Sequence, residues 1–288
     1  MIIYIAGFGN RRIIMYSQGH LIFIGISLIL IIFGVQMCRK YRPPIDKLVQ
    51  ICFLLSLFLE AAKILTVIEI IPVVEPVVEN GVLVYRGTGA YAPYIQREHL
   101  PFELCSLQIV FMFLELIVSN PVWKKRLLAF MYGTTIVGGM MALLFSSIAP
   151  EFETTAAFLT APRAWEFYLY HAMIIVLGIA IGMDKDVNLR FSDCRWMMVI
   201  LVALDCCMFY LNSIMSIPYY QGDTLVGMGY AINYFSSYDN FFGIVMDTKM
   251  KWICWLLFRI GLGALLIVLV YLPFLGRKED APKTEGNA

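Results

Sequence analysis

Long apolar runs, rather than alternation, set the pattern of this chain. Seven mostly apolar stretches lie at about 18–38, 48–68, 101–119, 125–148, 163–183, 195–216 and 252–275. At a rise of 1.5 Å per residue, each can cross roughly 30 Å of hydrocarbon as a helix. Prolines fall at the ends of these runs (Pro43, Pro44, Pro72, Pro101, Pro121, Pro150, Pro162, Pro218) and not in their middles. Proline lacks the N–H that a helix interior needs, so this punctuation marks boundaries, and Pro101 is expected in the first turn of the third run. The pattern predicts an all-α membrane protein, a seven-transmembrane-helix bundle forming one domain over residues 1–275. The first run is too long for a signal-peptide core and is read as a retained helix. The tail 276–288 has no apolar periodicity and is expected to be a disordered cytoplasmic extension.

Two connections break the helical pattern. Residues 69–100 contain VVENGVLVYRG, a β-like stretch around a turn that predicts a small hairpin or lid. Residues 217–251 are rich in Tyr and Phe, a composition that marks the headgroup level, and are expected to form an interfacial cap.

Composition agrees with a membrane protein: of 288 residues, 60% are hydrophobic and 15% charged, against roughly 25% charged in soluble domains. The net charge of +1 gives no reason to expect a nucleic-acid partner. Seven scattered cysteines without CxxC or His spacing predict neither a metal site nor a disulfide framework, and no cofactor is expected. With the N-terminus outside, the inner connections carry 13 Lys and Arg against 7 in the outer ones, so the C-terminus is expected in the cytoplasm.

Ionisable groups inside spans are costly and by default face a cavity or one another. Glu60 and Lys63, three residues apart near the outer end of the second run, share a helix face and can pair. Cys105, His171, Asn212 and Arg259 also fall in the outer half of their runs, on four other helices. One polar cavity open to the outer face explains this coincidence, with Gln108 beside Cys105 at its mouth. Glu103, Arg163 and Glu166 lie close enough to the interface to snorkel. Asp205, near mid-span, and Glu115, in the inner half, fall outside the cluster. Cys206 and Cys207 read as packing residues.

The segment HLPFELCSLQ resembles the signature of the YwaF-like integral membrane proteins, in which a Leu-Pro-x-x-Leu-Cys segment opens a mid-chain helix. FYLYHAMIIV resembles their aromatic-histidine signature, and INYF at 232–235 resembles their asparagine-tyrosine element. The resemblance covers roughly residues 20–275. It departs from the family pattern in the acidic stretch 69–85 and in lacking a Gly-Pro-Trp-Pro element. The eukaryotic branch of that family includes a transmembrane acyltransferase that loads polyunsaturated acyl chains onto lyso-ether phospholipids through a cysteine. The resemblance therefore implies Cys105 as nucleophile, His171 as base, and Glu60 and Lys63 as the matching second-span pair.

Together the residues and the resemblance predict a Cys/His-dependent phospholipid acyltransferase or lipid-acyl hydrolase working in the outer half of the bilayer. Lys63 and Arg259 would hold the phosphate of a phospholipid or lysophospholipid, with Glu60, Asn212 and Gln108 also lining the binding site. The expected compartment is a bacterial plasma membrane, or the endoplasmic reticulum in a eukaryote. Two other classes use the same cavity: a small-solute transporter or binding protein, and a non-enzymatic seven-helix sensor.

Overall fold

A computed structural model describes residues 4–5, 13–14, 17–79, 82–146, 148, 154–221, 224–230, 245 and 247–276. After a two-residue pairing of β1 (Tyr4–Ile5) with β2 (Ile13–Ile14), the chain forms α1 (Gln18–Tyr41) and α2 (Ile45–Val67). A hairpin of β3 (Glu69–Glu79) and β4 (Val82–Tyr94) follows, then α3 (Leu107–Ile117), α4 (Pro121–Leu144), the short α5 (Thr155–Thr160) and α6 (Pro162–Met183). The chain continues through α7 (Cys194–Met215), a second hairpin of β5 (Ile217–Gln221) and β6 (Thr224–Tyr230), and α8 (Lys249–Tyr271). Six of these helices, α1, α2, α4, α6, α7 and α8, are long and apolar enough to cross a membrane. The protein is therefore a multi-pass integral membrane protein.

The third expected span is the correction. Pro101 does not open a helix: residues 100–106 form turns, and α3 begins only at Leu107 and runs for 11 residues. Eleven residues reach about 16 Å as a helix, too short to cross alone. The turns are held locally, by Phe102 N–H donating to the Leu100 carbonyl and Leu107 N–H to the Glu103 carbonyl. Pro101 is thus followed by an irregular segment that carries Cys105.

Other boundaries follow their capping chemistry. The Ser17 side chain accepts from His20 N–H at the start of α1, and Asn120 accepts from Val122 and Trp123 N–H ahead of Pro121 in α4. The first long connection folds as the predicted hairpin, with Glu69 opposite Tyr94 and Glu79 opposite Val82. Pro72 and Pro76 are tolerated because a two-stranded ribbon has only edge strands. Part of the second connection is also a hairpin, whereas residues 231–244, including INYF, lie outside the described residues, as does the tail from 277.

Helix α6 is the hub, packing against α1, α2 and α4. Small residues let it sit close to α4: a Cβ on Gly178 would come 2.3 Å from Thr135 Oγ1, and one on Gly139 of α4 would come 2.6 Å from Ile175. Phe23 of α1 stacks on Tyr168 of α6, with ring centroids 4.6 Å apart. His20 Nε2 lies 2.8 Å from the Leu143 carbonyl and joins α1 to α4. Tyr132 of α4 donates to the Val270 carbonyl, and Tyr271 of α8 donates to the Ala129 carbonyl, which ties the first half of α4 to the end of α8.

Ion pairs identify one end of the bundle. Lys124, at the start of α4, lies 2.8 Å from Asp46 at the start of α2 and 3.3 Å from Glu115 near the end of α3. Its neighbour Lys125 lies 3.6 Å from Asp193, just before α7. Three of the Lys/Arg-rich connections therefore gather at this end. At the opposite end Arg97, after the first hairpin, donates to the Met215 carbonyl at the end of α7.

Candidate functional site

The turn 100–106 and the first half of α6 meet at the end away from Lys124. Tyr170 of α6 is buried, and its hydroxyl donates to the Cys105 carbonyl at 2.6 Å. His171 is the next residue on the same helix, and its ring Nδ1 lies 2.7 Å from the Phe167 carbonyl one turn earlier. A carbonyl can only accept, so Nδ1 carries the proton and Nε2 keeps the basic lone pair. The ring also packs against Phe167, with centroids 4.3 Å apart. Glu166 is not its orienter; the backbone of its own helix is.

A cavity of about 430 Å³ opens here, and Cys105 and His171 both line it. Glu60 and Lys63 of α2 also line it, paired at 2.5 Å, with Lys63 buried to 5% exposure. Arg163 and Glu166 of α6 form a second pair on the same wall. Among the described residues the Arg163 Nε is buried without a hydrogen-bond partner. Glu103, His99 and Ser106 add to the polar lining. Four of the expected residues, Glu60, Lys63, Cys105 and His171, are thus brought together from α2, the 100–106 turn and α6.

Three are not. Arg259 of α8 faces a different cavity, and its Nη2 lies 2.6 Å from each Asp205 carboxylate oxygen of α7. Asp205, expected outside the cluster, is therefore the partner of a residue expected inside it. Gln108 is buried in α3, where it donates to the Leu104 carbonyl and to Thr134 Oγ1 of α4. Asn212 is buried on α7, and neither amide lines either cavity. The Gln108 amide nitrogen thus ties α3 to the turn before it and to α4 rather than to the pocket.

Arg163, Glu166, Glu103 and Tyr170 are among the site residues that lay outside the expected cluster. Arg163 and Glu166 repeat the three-residue spacing of Glu60 and Lys63, and that repeat was the available signal. Tyr170 gives no such signal, since its contact with Cys105 joins residues 65 apart in sequence.

The second cavity, about 550 Å³, is apolar and runs between α4, α7 and α8. Cys105, Glu103, Ala142 and Phe145 line both cavities. Cys105 therefore stands at the junction of a charged pocket and a hydrophobic groove, with its sulfur beside Gly138 of α4. Such a junction suits an amphipathic molecule, with a nucleophile where its polar and apolar parts meet.

A model of the TMEM164 family matches residues 7–272; the match supports a membrane family of this kind and does not carry the YwaF-like name. No curated protein and no solved structure matches the chain.

Proposed function

The chain belongs to the TMEM164 family, and on that premise we propose that it is a Cys/His-dependent acyltransferase acting on phospholipids. The observation that carries this reading is the shared lining: Cys105 borders both cavities, and His171 borders the charged one. The Cys105 thiol gives its proton to His171 Nε2, and the sulfur attacks an ester carbonyl of the donor lipid. The S–C bond forms, the C–O bond breaks, and His171 returns the proton to the departing lysolipid oxygen. In the second half a lysophospholipid hydroxyl loses its proton to Nε2, its oxygen forms the new ester C–O bond as the S–C bond breaks, and Nε2 returns the proton to the sulfur. Water in the acceptor's place would make the same site a lipid-acyl hydrolase.

Lys63 and Arg163 are the lysine and arginine lining this pocket, each paired with a glutamate of its own helix, so a phosphate headgroup would compete with Glu60 and Glu166 for them, and the planar guanidinium of Arg163 offers the better fork. Arg259 lines the other cavity and is not assigned to the phosphate. We also read residues 100–117 as a seventh crossing, because α3 ends beside Asp46, where α2 began. In the orientation that the charge bias favours, the N-terminus is outside and the site faces the outer leaflet.

The test is acyl transfer by purified protein in liposomes containing a long-chain phosphatidylcholine donor and a labelled lysolipid acceptor. Transfer by the wild type and its loss in Cys105→Ala support the proposal. Transfer that survives Cys105→Ala removes it.

A further inference from the structure

The groove between α4, α7 and α8 has no role in the proton and acyl steps above, yet Cys105 opens onto it. Gly138 of α4 lines this groove beside the thiol. A Cβ built on Gly138 would meet one neighbour within 4 Å, the Cys105 Sγ at 3.3 Å. The missing side chain therefore leaves a gap where the first carbons of a thioester would have to pass. Beyond it the lining is Val137 and Met141 of α4, Leu201 of α7, and Gly263 and Ile267 of α8. From Trp255 to Ile267 along α8 the groove extends about 18 Å. Its 550 Å³ falls within the range of about 300–1,000 Å³ usual for small-molecule sites. Val202, Phe258 and Leu262, which also line it, are exposed, so the groove is open along its side. On its wall Asp205 pairs with Arg259, and Glu103 stands beside Cys105 where the groove meets the charged pocket.

Resting on the acyl-cysteine reading, we propose that this groove binds the fatty acyl chain carried by Cys105 and that Gly138 is its gate. The occupant is a flexible alkyl chain, because the groove is elongated, apolar and side-open and has the nucleophile at one wall. A chain held here lies along α8 while the headgroup occupies the charged pocket. Gly138 is then a specificity-determining residue, since any side chain there crowds the sulfur at the point where the chain turns into the groove. Gly263 borders the same path, and a Cβ there would meet only Leu201 Cδ2, at 3.9 Å, so a larger residue can fill the groove without striking backbone.

The experiment uses the full-length protein in detergent micelles and two thiol reagents, N-ethylmaleimide and N-hexadecylmaleimide. Adducts are read by peptide mass spectrometry. The exposed Cys206 and Cys207 serve as internal references for reagent partitioning. In Gly263→Leu the hexadecyl-to-ethyl ratio at Cys105 is expected to fall at least tenfold relative to the references. Gly138→Ala is expected to lower it in the same direction, and Leu262→Trp, at an exposed position, fills the groove by a second route. An unchanged ratio in these variants overturns the groove assignment, as does hexadecyl labelling that never reaches Cys105 in the wild type. The liposome assay separates this result from the chemistry. A ratio that falls as expected in a protein without transfer activity keeps the alkyl site and removes the acyl-cysteine. Transfer with an unchanged ratio removes only the groove.

Discussion

Cys105 sits in a turn rather than in a helix, and two hydrogen bonds reach its carbonyl, from the Tyr170 hydroxyl and from Gln108 N–H. These contacts fix the backbone of the thiol relative to the helix that carries His171. Replacing Tyr170 with Phe removes one of them and leaves the carbonyl its other donor. The expected loss is about 1 kcal/mol, read as a lower midpoint in thermal denaturation, with acyl transfer lowered by about fivefold. His171→Gln keeps a polar group of similar reach but no base. Acyl transfer is expected to fall by about 10²-fold or more, with thermal stability near that of the wild type. At this scale the identities of Cys105, His171, Glu60 and Lys63 were legible because polar groups in apolar runs stand out. Tyr170 was not, because a tyrosine in an aromatic stretch looks the same whether or not its hydroxyl reaches another segment.

The elements show where linear pattern succeeds and where it stops. Six of the seven apolar runs became long helices with boundaries close to those that proline and capping residues imply. The run at 101–119 did not, because hydropathy measures solubility in lipid and cannot separate a helix from buried turns. Those turns require other helices around them, as irregular backbone at membrane depth does in general. The close approach of α4 and α6 is an element-scale property with its own test. Gly178→Leu drives a side chain into Thr135 Oγ1 and toward the Tyr132 carbonyl, 3.2 Å from the added Cβ. The helices would have to separate, and a loss of several kcal/mol or failure to fold is expected, against about 1–3 kcal/mol for ordinary overpacking. The Asp205–Arg259 pair between α7 and α8 behaves differently. Removing one partner, as in Asp205→Ala, is expected to cost about 3–5 kcal/mol, whereas Asp205→Leu with Arg259→Met regains most of it. Both are measured by thermal denaturation in detergent.

Across the whole molecule the structure separates two ends with different chemistry. One gathers Asp46, Glu115, Lys124, Lys125 and Asp193 in ion pairs, and the other holds the Cys105 cavity. The sequence placed the polar residues of five helices at one depth but could not say which way each faced around its helix axis. That angular information turns Arg259 toward Asp205, whereas the Glu60–Lys63 pair was readable from its three-residue spacing. It also shows why the thiol borders two cavities instead of one, which is the property that suits a molecule with a charged head and an apolar tail. The central claim is that Cys105 forms a thioester with a lipid acyl chain at this junction. It is tested most directly by intact-protein mass spectrometry after incubation with liposomes of a single defined phosphatidylcholine. The account predicts a mass increase of one acyl group, lost on treatment with neutral hydroxylamine and absent in Cys105→Ala. An adduct of the same size in Cys105→Ala, or a wild-type protein that acquires none while transferring acyl chains, would contradict it.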